Sequence, residues 1–96
     1  MILRNALIKD LPQLTKIGAE CYPPKETITE QEYAGRINLY SEHFWILEDK
    51  GEILAFANGL VTDMPRITDE MFHNPKLHNE NGLWQTVLGI NTSPKH

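Results

Sequence analysis

The apolar residues of this chain recur with two spacings, one typical of strands and one typical of helices. Residues 2–8 are short and apolar-rich and predict a first strand. The next apolar positions recur at the spacing of one helix face: Leu11, Leu14, Ile17 and Cys21. Asp10 is the expected N-cap of this helix, and Pro12 lies in its first turn, where the missing N–H costs little. We therefore predict a strand followed by a helix whose buried face includes Cys21.

A second helix and a hairpin are predicted next. Residues 29–32 (Thr-Glu-Gln-Glu) form a capping-box pattern. The helix behind them carries one apolar and two aromatic residues on a single stripe: Tyr33, Ile37 and Tyr40. Residues 44–48 and 52–61 predict two strands joined by a tight turn at 49–51. Gly59, inside the second of these strands, predicts a bulge or a close approach of another backbone.

The last third of the chain has a less regular pattern. Within residues 64–82 we predict a short helix from Thr68 to His73, with Thr68 as its cap, and a long connection around it. Residues 83–92 predict a final strand with Gly89 inside it. The order β-α-α-β-β-β predicts a single α+β domain over residues 1–96. Its sheet is four-stranded and mostly antiparallel, with two helices packed on it.

Composition narrows the classes of partner and location. The formal net charge of -4 argues against nucleic acid or an anionic membrane as the main partner. No apolar run approaches the roughly 20 residues that span a bilayer, and the N-terminus lacks the layout of a signal peptide. The single cysteine, Cys21, cannot form an internal disulfide, and we expect a buried, inert thiol. These features favour a cytoplasmic location.

Three stretches together resemble the front half of a GNAT-superfamily acetyltransferase, an enzyme that acetylates amines with acetyl-CoA. The first is the opening strand and helix, with Asp-Leu-Pro at 10–12 and Cys-Tyr-Pro-Pro at 21–24. The second is the hairpin strand GEILAFANG at 51–59, and the third is VLGINTSPKH at 87–96. The irregular segment before Trp84-Gln85 is similar to that of the arylalkylamine branch of small-amine acetyltransferases.

The resemblance implies a role for the last strand. In this family the backbone of the bulged fourth strand contacts the pantetheine arm and the thioester of acetyl-CoA, and the matching positions are Ile90, Asn91 and Thr92. Gly89 fits a strand that bends there. The family continues into a glycine-rich turn that cradles the pyrophosphate, whereas this sequence stops at His96. We therefore expect an N-terminal portion of an enzyme, inactive or nearly so by itself.

The resemblance also suggests where acceptor chemistry would lie. Where family members place a general base, this chain has Gln85 and Thr86, which could position a water; the alternative is that both are ordinary sheet residues. Tyr22 stands where the family admits the acceptor. Glu70 could attract an ammonium group, with dipole matching at a helix start as its alternative.

Aromatic and histidine residues leave further alternatives. The aromatic residues beyond the first helix either line a pocket for an aromatic amine or belong to the core: Tyr33, Phe72 and Trp84. His73 and His78, with Glu70 and Glu80 nearby, match no common zinc spacing, so we predict no metal site.

Two hypotheses compete with an enzyme. In the first, a non-catalytic module forms a homodimer, or accepts a second chain, through the exposed edge of its last strand. In the second, a binding domain holds a small molecule without chemistry.

Overall fold

The computed structural model describes residues 1–21, 23 and 27–94. Its strands are β1 (Ile2–Asn5), β2 (Phe44–Asp49), β3 (Glu52–Asn58), β4 (Val61–Thr62), β5 (Trp84–Gln85) and β6 (Gly89–Thr92). Its helices are α1 (Leu11–Cys21), α2 (Glu30–Tyr40) and α3 (Asp69–His73). Single 3₁₀ turns cover Ile8–Asp10, Ser41–His43 and Pro75–Leu77. None of the helices in the described ranges has the length and apolar character needed to span a bilayer.

The predicted α+β architecture is confirmed. Strands β1, β2, β3 and β6 form an antiparallel sheet in that spatial order, and β4 and β5 pair as a small second sheet. Helices α1 and α2 contribute to one apolar core against the larger sheet. Residues buried in that core include Leu14 and Ile17 of α1, Tyr33 and Ile37 of α2, and Phe56 of β3. The core thus forms between the helices and one sheet face, as the two periodicities require.

Two predicted strands are each interrupted, and this is the main correction to the sequence analysis. The segment 52–61 forms β3 and then β4, which pairs in the other sheet, and the segment 83–92 forms β5 and β6. Both interruptions lie where Gly59 and Thr86 meet. A Cβ on Gly59 would stand 2.1 Å from the carbonyl oxygen of Thr86. The predicted close approach at Gly59 is confirmed, and it explains why neither strand continues.

The expected N-cap at Asp10 is wrong in its contacts, although α1 does begin at the next residue. The Asp10 carboxylate accepts from the guanidinium of Arg4 through Nη1 and Nη2, at 2.8 Å each, and from the Leu7 N–H at 2.7 Å. Arg4 Nε also donates to Glu48 on β2. A bidentate, charge-assisted pair is stronger than a cap to a neutral N–H, so the carboxylate turns back toward β1.

Three further expectations had different outcomes. The capping box is confirmed, since Thr29 Oγ1 accepts from the Glu32 N–H and the Glu32 carboxylate accepts from the Thr29 N–H, at 3.1 Å each. Thr68 lies at the start of α3 but makes no side-chain capping bond. Cys21 is exposed rather than buried, because α1 ends at that residue, and its thiol donates to the Thr92 carbonyl at 3.3 Å.

We expect Gly59→Ala to destabilise the fold by more than about 2 kcal/mol, because the new methyl group would press on the Thr86 backbone, which cannot move without disrupting both sheets. Urea unfolding of the purified chain measures the change. Gly51→Asn is the matched control: Gly51 has φ 81° and open space around its Cβ position, and asparagine tolerates that conformation. Equal stability of the Gly59→Ala variant and the parent would contradict the close approach.

We expect the stability contributed by Asp10 to fade in acid. Burial opposes ionisation of Asp10, but hydrogen bonds from Arg4 and Leu7 outweigh it, so the pKa is lowered on folding. The stabilisation is therefore complete above the unfolded pKa of about 4 and is lost as pH falls through the folded value. Asp10→Asn should cost about 1–3 kcal/mol at pH 7 and progressively less below pH 4 in urea titrations. Glu20→Gln, at an exposed position of α1, is the control for the loss of one negative charge. A constant Asp10→Asn penalty down to pH 2 would refute the pairing.

Candidate functional site

A cavity of about 460 Å³ lies between α2, α3 and the adjoining ends of β3 and β6. Its wall combines two aromatic side chains with a cluster of buried polar ones. The residues that line it include Tyr33, Arg36, Asn58, Phe72, Gly89 and Asn91. An opening of this volume, in which apolar side chains alternate with convergent polar ones, has the character of a small-molecule site.

Arg36 places a positive charge in the cavity wall. The residue is 2% exposed, on the face of α2 that also carries Tyr33. Its Nη1 donates to Asn58 Oδ1 at 2.7 Å, and its Nη2 donates to the Phe72 carbonyl at 2.8 Å. The guanidinium carbon lies 5.9 Å from the centre of the Tyr33 ring. Within residues 1–21, 23 and 27–94, Arg36 forms no ion pair with a carboxylate, so neutral groups alone hold this charge.

Asn91 brings an unused donor to the same wall. It pairs in register with Phe56 of β3, so its side chain faces the helices, and it is 3% exposed. Its amide Nδ2 has no hydrogen-bond partner in the described part of the chain. Buried amide groups are normally hydrogen-bonded, so this one requires an explanation.

The hydrogen-bond alternation of β6 decides which backbone groups are available to a ligand. The Ser93 N–H donates to Leu54 O at 2.8 Å. Because the positions bonded to the neighbouring strand alternate along an antiparallel strand, residues 89, 91 and 93 are the ones whose backbone groups bond to β3. The backbone groups of Ile90 and Thr92 therefore point to the outer edge, where Thr92 O accepts the Cys21 thiol. Of the three predicted cosubstrate contacts, Ile90 and Thr92 present backbone at that edge, and Asn91 presents its side chain to the cavity.

Thr86 and Gln85, the predicted catalytic pair, lie outside the cavity lining. Thr86 Oγ1 donates to Leu60 O at 2.7 Å. Gln85 Nε2 donates to the carbonyls of Gly59 and Thr86, at 2.7 Å each. Both side chains line a separate groove of about 190 Å³ beside Trp84. Their side-chain donors thus stabilise the close approach of the Gly59 and Thr86 backbones. The catalytic role of both residues remains a prediction.

The predicted acceptor contacts are dispersed. Glu70 is exposed on α3 and accepts from Asn74 Nδ2 at 3.3 Å, whereas Asp69, its neighbour, reaches the cavity wall together with His73. Tyr22 lies outside the described residues. Of the aromatic candidates, Tyr33 and Phe72 line the cavity, and Trp84 lies at the other groove.

The ring of His78 lies beside that of His43, with 5.2 Å between the ring centroids, and is not grouped with His73. His43 Nε2 and His78 Nε2 lie 2.9 Å and 2.6 Å from Glu80 Oε2, and the three ligand atoms lie within 4.8 Å of one another. Hydrogen bonds from the two histidines lower the pKa of Glu80. However, His78 Nδ1 accepts the Val61 N–H at 3.0 Å, so neutral His78 carries its proton on Nε2. Metal-bound histidines normally donate from the second ring nitrogen, so this arrangement favours hydrogen bonding to Glu80.

Arg36 and Asn58 were missed in the sequence, although a signal was present. Arg36 interrupts the helical stripe between Tyr33 and Ile37, and Asn58 continues the strand alternation two residues after Phe56. A charged or amide residue at a position expected to be buried is the pattern that would have identified them.

The fold is that of about half of a GNAT-like domain, as solved structures establish. GphF, a GNAT-like decarboxylase in complex with isobutyryl-CoA, has a TM-score of 0.86 at 22% identity, covering 99% of this chain and 50% of its own. The loading GNATL domain of CurA from Lyngbya majuscula has a TM-score of 0.85 at 26% identity, covering 98% and 48%.

The likeness extends to a further solved structure. Chaetomium thermophilum Naa20, in complex with a bisubstrate analogue, has a TM-score of 0.63 at 20% identity, covering 99% and 46%. This chain therefore spans about half the length of the structures it resembles. No family model and no curated protein matches the sequence.

Proposed function

We propose that this chain forms the N-terminal half of an acyl-CoA-dependent N-acyltransferase site that transfers an acetyl group to a small amine. The observation that carries the proposal is the position of β6, which borders the cavity on one face and presents, at its outer edge, backbone groups that no described strand pairs with. GphF holds isobutyryl-CoA and Naa20 holds a bisubstrate analogue on the same fold, which supports a CoA thioester as the cosubstrate here.

The outer edge of β6 suits the pantetheine arm of such a cosubstrate. Pantetheine contains amide groups, which pair with free backbone groups as an added strand does. Ile90 and Thr92 present such groups in the described chain. A backbone N–H at this edge could also stabilise the negative charge that develops on the thioester oxygen during transfer. Displacing the Cys21 thiol from Thr92 O would open that carbonyl to the arm.

The cavity suits the acceptor. Tyr33 and Phe72 supply aromatic wall, in keeping with an arylalkylamine, and Asp69 at the exposed rim supplies a negative charge that attracts an ammonium group. The amine must lose a proton before it attacks the thioester carbon. In this proposal Thr86 or Gln85 orients, from the neighbouring groove, a water that passes the proton on to bulk solvent. Either residue would hold that water through its side-chain oxygen, because the bonds described above use the side-chain donors of both.

We expect the 96-residue chain alone to bind acetyl-CoA only weakly and to transfer little acetyl group, because its sequence contains no glycine-rich turn for the pyrophosphate. Calorimetry should detect no micromolar binding. Titration to millimolar acetyl-CoA should shift the backbone amide resonances of Ile90 and Thr92. S-acetylpantetheine, which lacks the nucleotide, should produce the same shifts with an affinity of the same order.

These two ligands separate the possible failures of the proposal. Micromolar binding of acetyl-CoA, much tighter than that of S-acetylpantetheine, would show that these residues already recognise the pyrophosphate. Shifts confined to residues far from β6 would contradict the cosubstrate site itself. 3′,5′-ADP, which lacks the pantetheine arm, is the control ligand and should leave Ile90 and Thr92 unperturbed.

Pairing through the β6 edge is the second candidate function. In the described residues the outer edge of β6 has no strand beside it, and the Ile90 side chain is 70% exposed. An unpaired edge is a template for another chain. If the edge mediates self-association, light scattering after size exclusion should show a dimer that Ile90→Lys converts to monomer. Leu3→Lys, at an exposed position of β1 on the opposite edge of the sheet, is the control, and a monomer at every concentration would remove this candidate.

A further inference from the structure

The cavity wall contains a buried positive charge on one element and an unused buried donor on another. Arg36 reaches it from α2 and Asn91 from β6, and both residues are at least nine-tenths buried. Asn58 stands with them and accepts from Arg36 through its amide oxygen. Each of these groups is costly to bury unless it gains a partner.

The contacts inside the chain leave this cluster incomplete. Arg36 bonds only to the neutral acceptors of Asn58 and Phe72 among the described residues, and a guanidinium has more N–H donors than these two bonds use. Asn91 Nδ2 has no partner there. Among the described residues this buried cation has no counter-charge, and it shares one cavity wall with an unsatisfied donor, a combination that complements an anion with oxygen acceptors.

The cavity wall also limits the size and shape of that anion. Asp69, at the exposed rim, is a carboxylate in the described wall, and its charge disfavours a polyanion at the mouth. The space of about 460 Å³ holds an organic group, and its aromatic wall favours one with apolar character. A single planar carboxylate matches the fork of a guanidinium better than a point anion does.

We infer that Arg36 and Asn91 bind a carboxylate group of the substrate, so that the site selects a carboxylate-bearing molecule over its neutral analogue. This inference rests on the proposed acyl-CoA function and names the substrate class. The carboxylate has two possible sources: an amino acid acting as acceptor, or an acyl group that carries a second carboxyl. The guanidinium and the Asn91 amide would recognise either.

The experiment uses two matched pairs of probes on the ¹⁵N-labelled 96-residue chain. Phenylalanine and phenylalaninamide differ in the carboxylate of the acceptor, and malonyl-CoA and propionyl-CoA differ in the carboxylate of the acyl group. The readouts are the side-chain resonances of Asn91 Nδ2 and Arg36 Nε. We expect the carboxylate member of one pair to bind at least about tenfold more tightly and to shift both resonances. The pair that shows this identifies the source.

Variants test whether the cluster is responsible. Asn91→Asp keeps the side-chain size but adds a negative charge, so it should abolish the tenfold preference for the carboxylate member of the pair, by weakening that member and not phenylalaninamide or propionyl-CoA. Arg36→Lys keeps the charge but lacks the fork and should reduce the preference. Lys76→Met removes an exposed positive charge outside the cavity wall and should leave it intact. Thermal unfolding of each variant confirms that it is folded.

The outcomes separate this inference from the proposed function. Equal binding of both members in each pair overturns the inference, and shifts at Ile90 and Thr92 with either thioester would then still support a CoA site. A preference for phenylalanine without any response to the thioesters supports the carboxylate site and rejects the CoA function. A preference that survives Asn91→Asp places the carboxylate elsewhere and overturns the inference.

Discussion

The contact between the Gly59 backbone and Thr86 is the constraint on which the arrangement depends. There is room for a hydrogen, but not for a methyl group, between residue 59 and the Thr86 carbonyl. Hydrogen bonds on either side of this contact join the same two segments. The Thr86 N–H and hydroxyl donate to Leu60 O, and the Leu88 N–H donates to Asn58 O. Both segments of the chain turn away at this point, so β3 ends and β6 begins beside α2. The cavity lies between these strand ends and the helix.

Local sequence signals predicted most of the fold. The capping box at Thr29 and the apolar stripes of α1 and α2 depend on neighbours a few residues away, so they could be inferred directly. The split of the last predicted strand could not, because Trp84-Gln85 and residues 89–92 have the same apolar character but pair with different strands. The choice of partner is set by tertiary packing, which one sequence does not reveal. Asp10 differs from this case, since its partners are close in sequence: Arg4 and the Leu7 N–H bond its carboxylate in place of a helix cap.

The candidate site was less predictable than the fold. The family resemblance predicts that β6 contacts the cosubstrate, and Asn91 of this strand lines the cavity. Helical periodicity identifies apolar positions, so it does not single out Arg36, a charged residue on the same stripe of α2. The importance of Arg36 depends on two partners far along the chain, Asn58 and the Phe72 carbonyl, that only the folded structure brings together.

The exposed thiol of Cys21 gives the edge of β6 an unusual kind of protection. Strand edges are commonly guarded by charged side chains, prolines or bulges, which block pairing permanently. A thiol is a weak donor, so its bond to Thr92 O occupies the carbonyl without holding it firmly. The end of α1 therefore occupies this carbonyl through a weak hydrogen bond, and a stronger amide donor that replaced the thiol would lose little free energy in doing so.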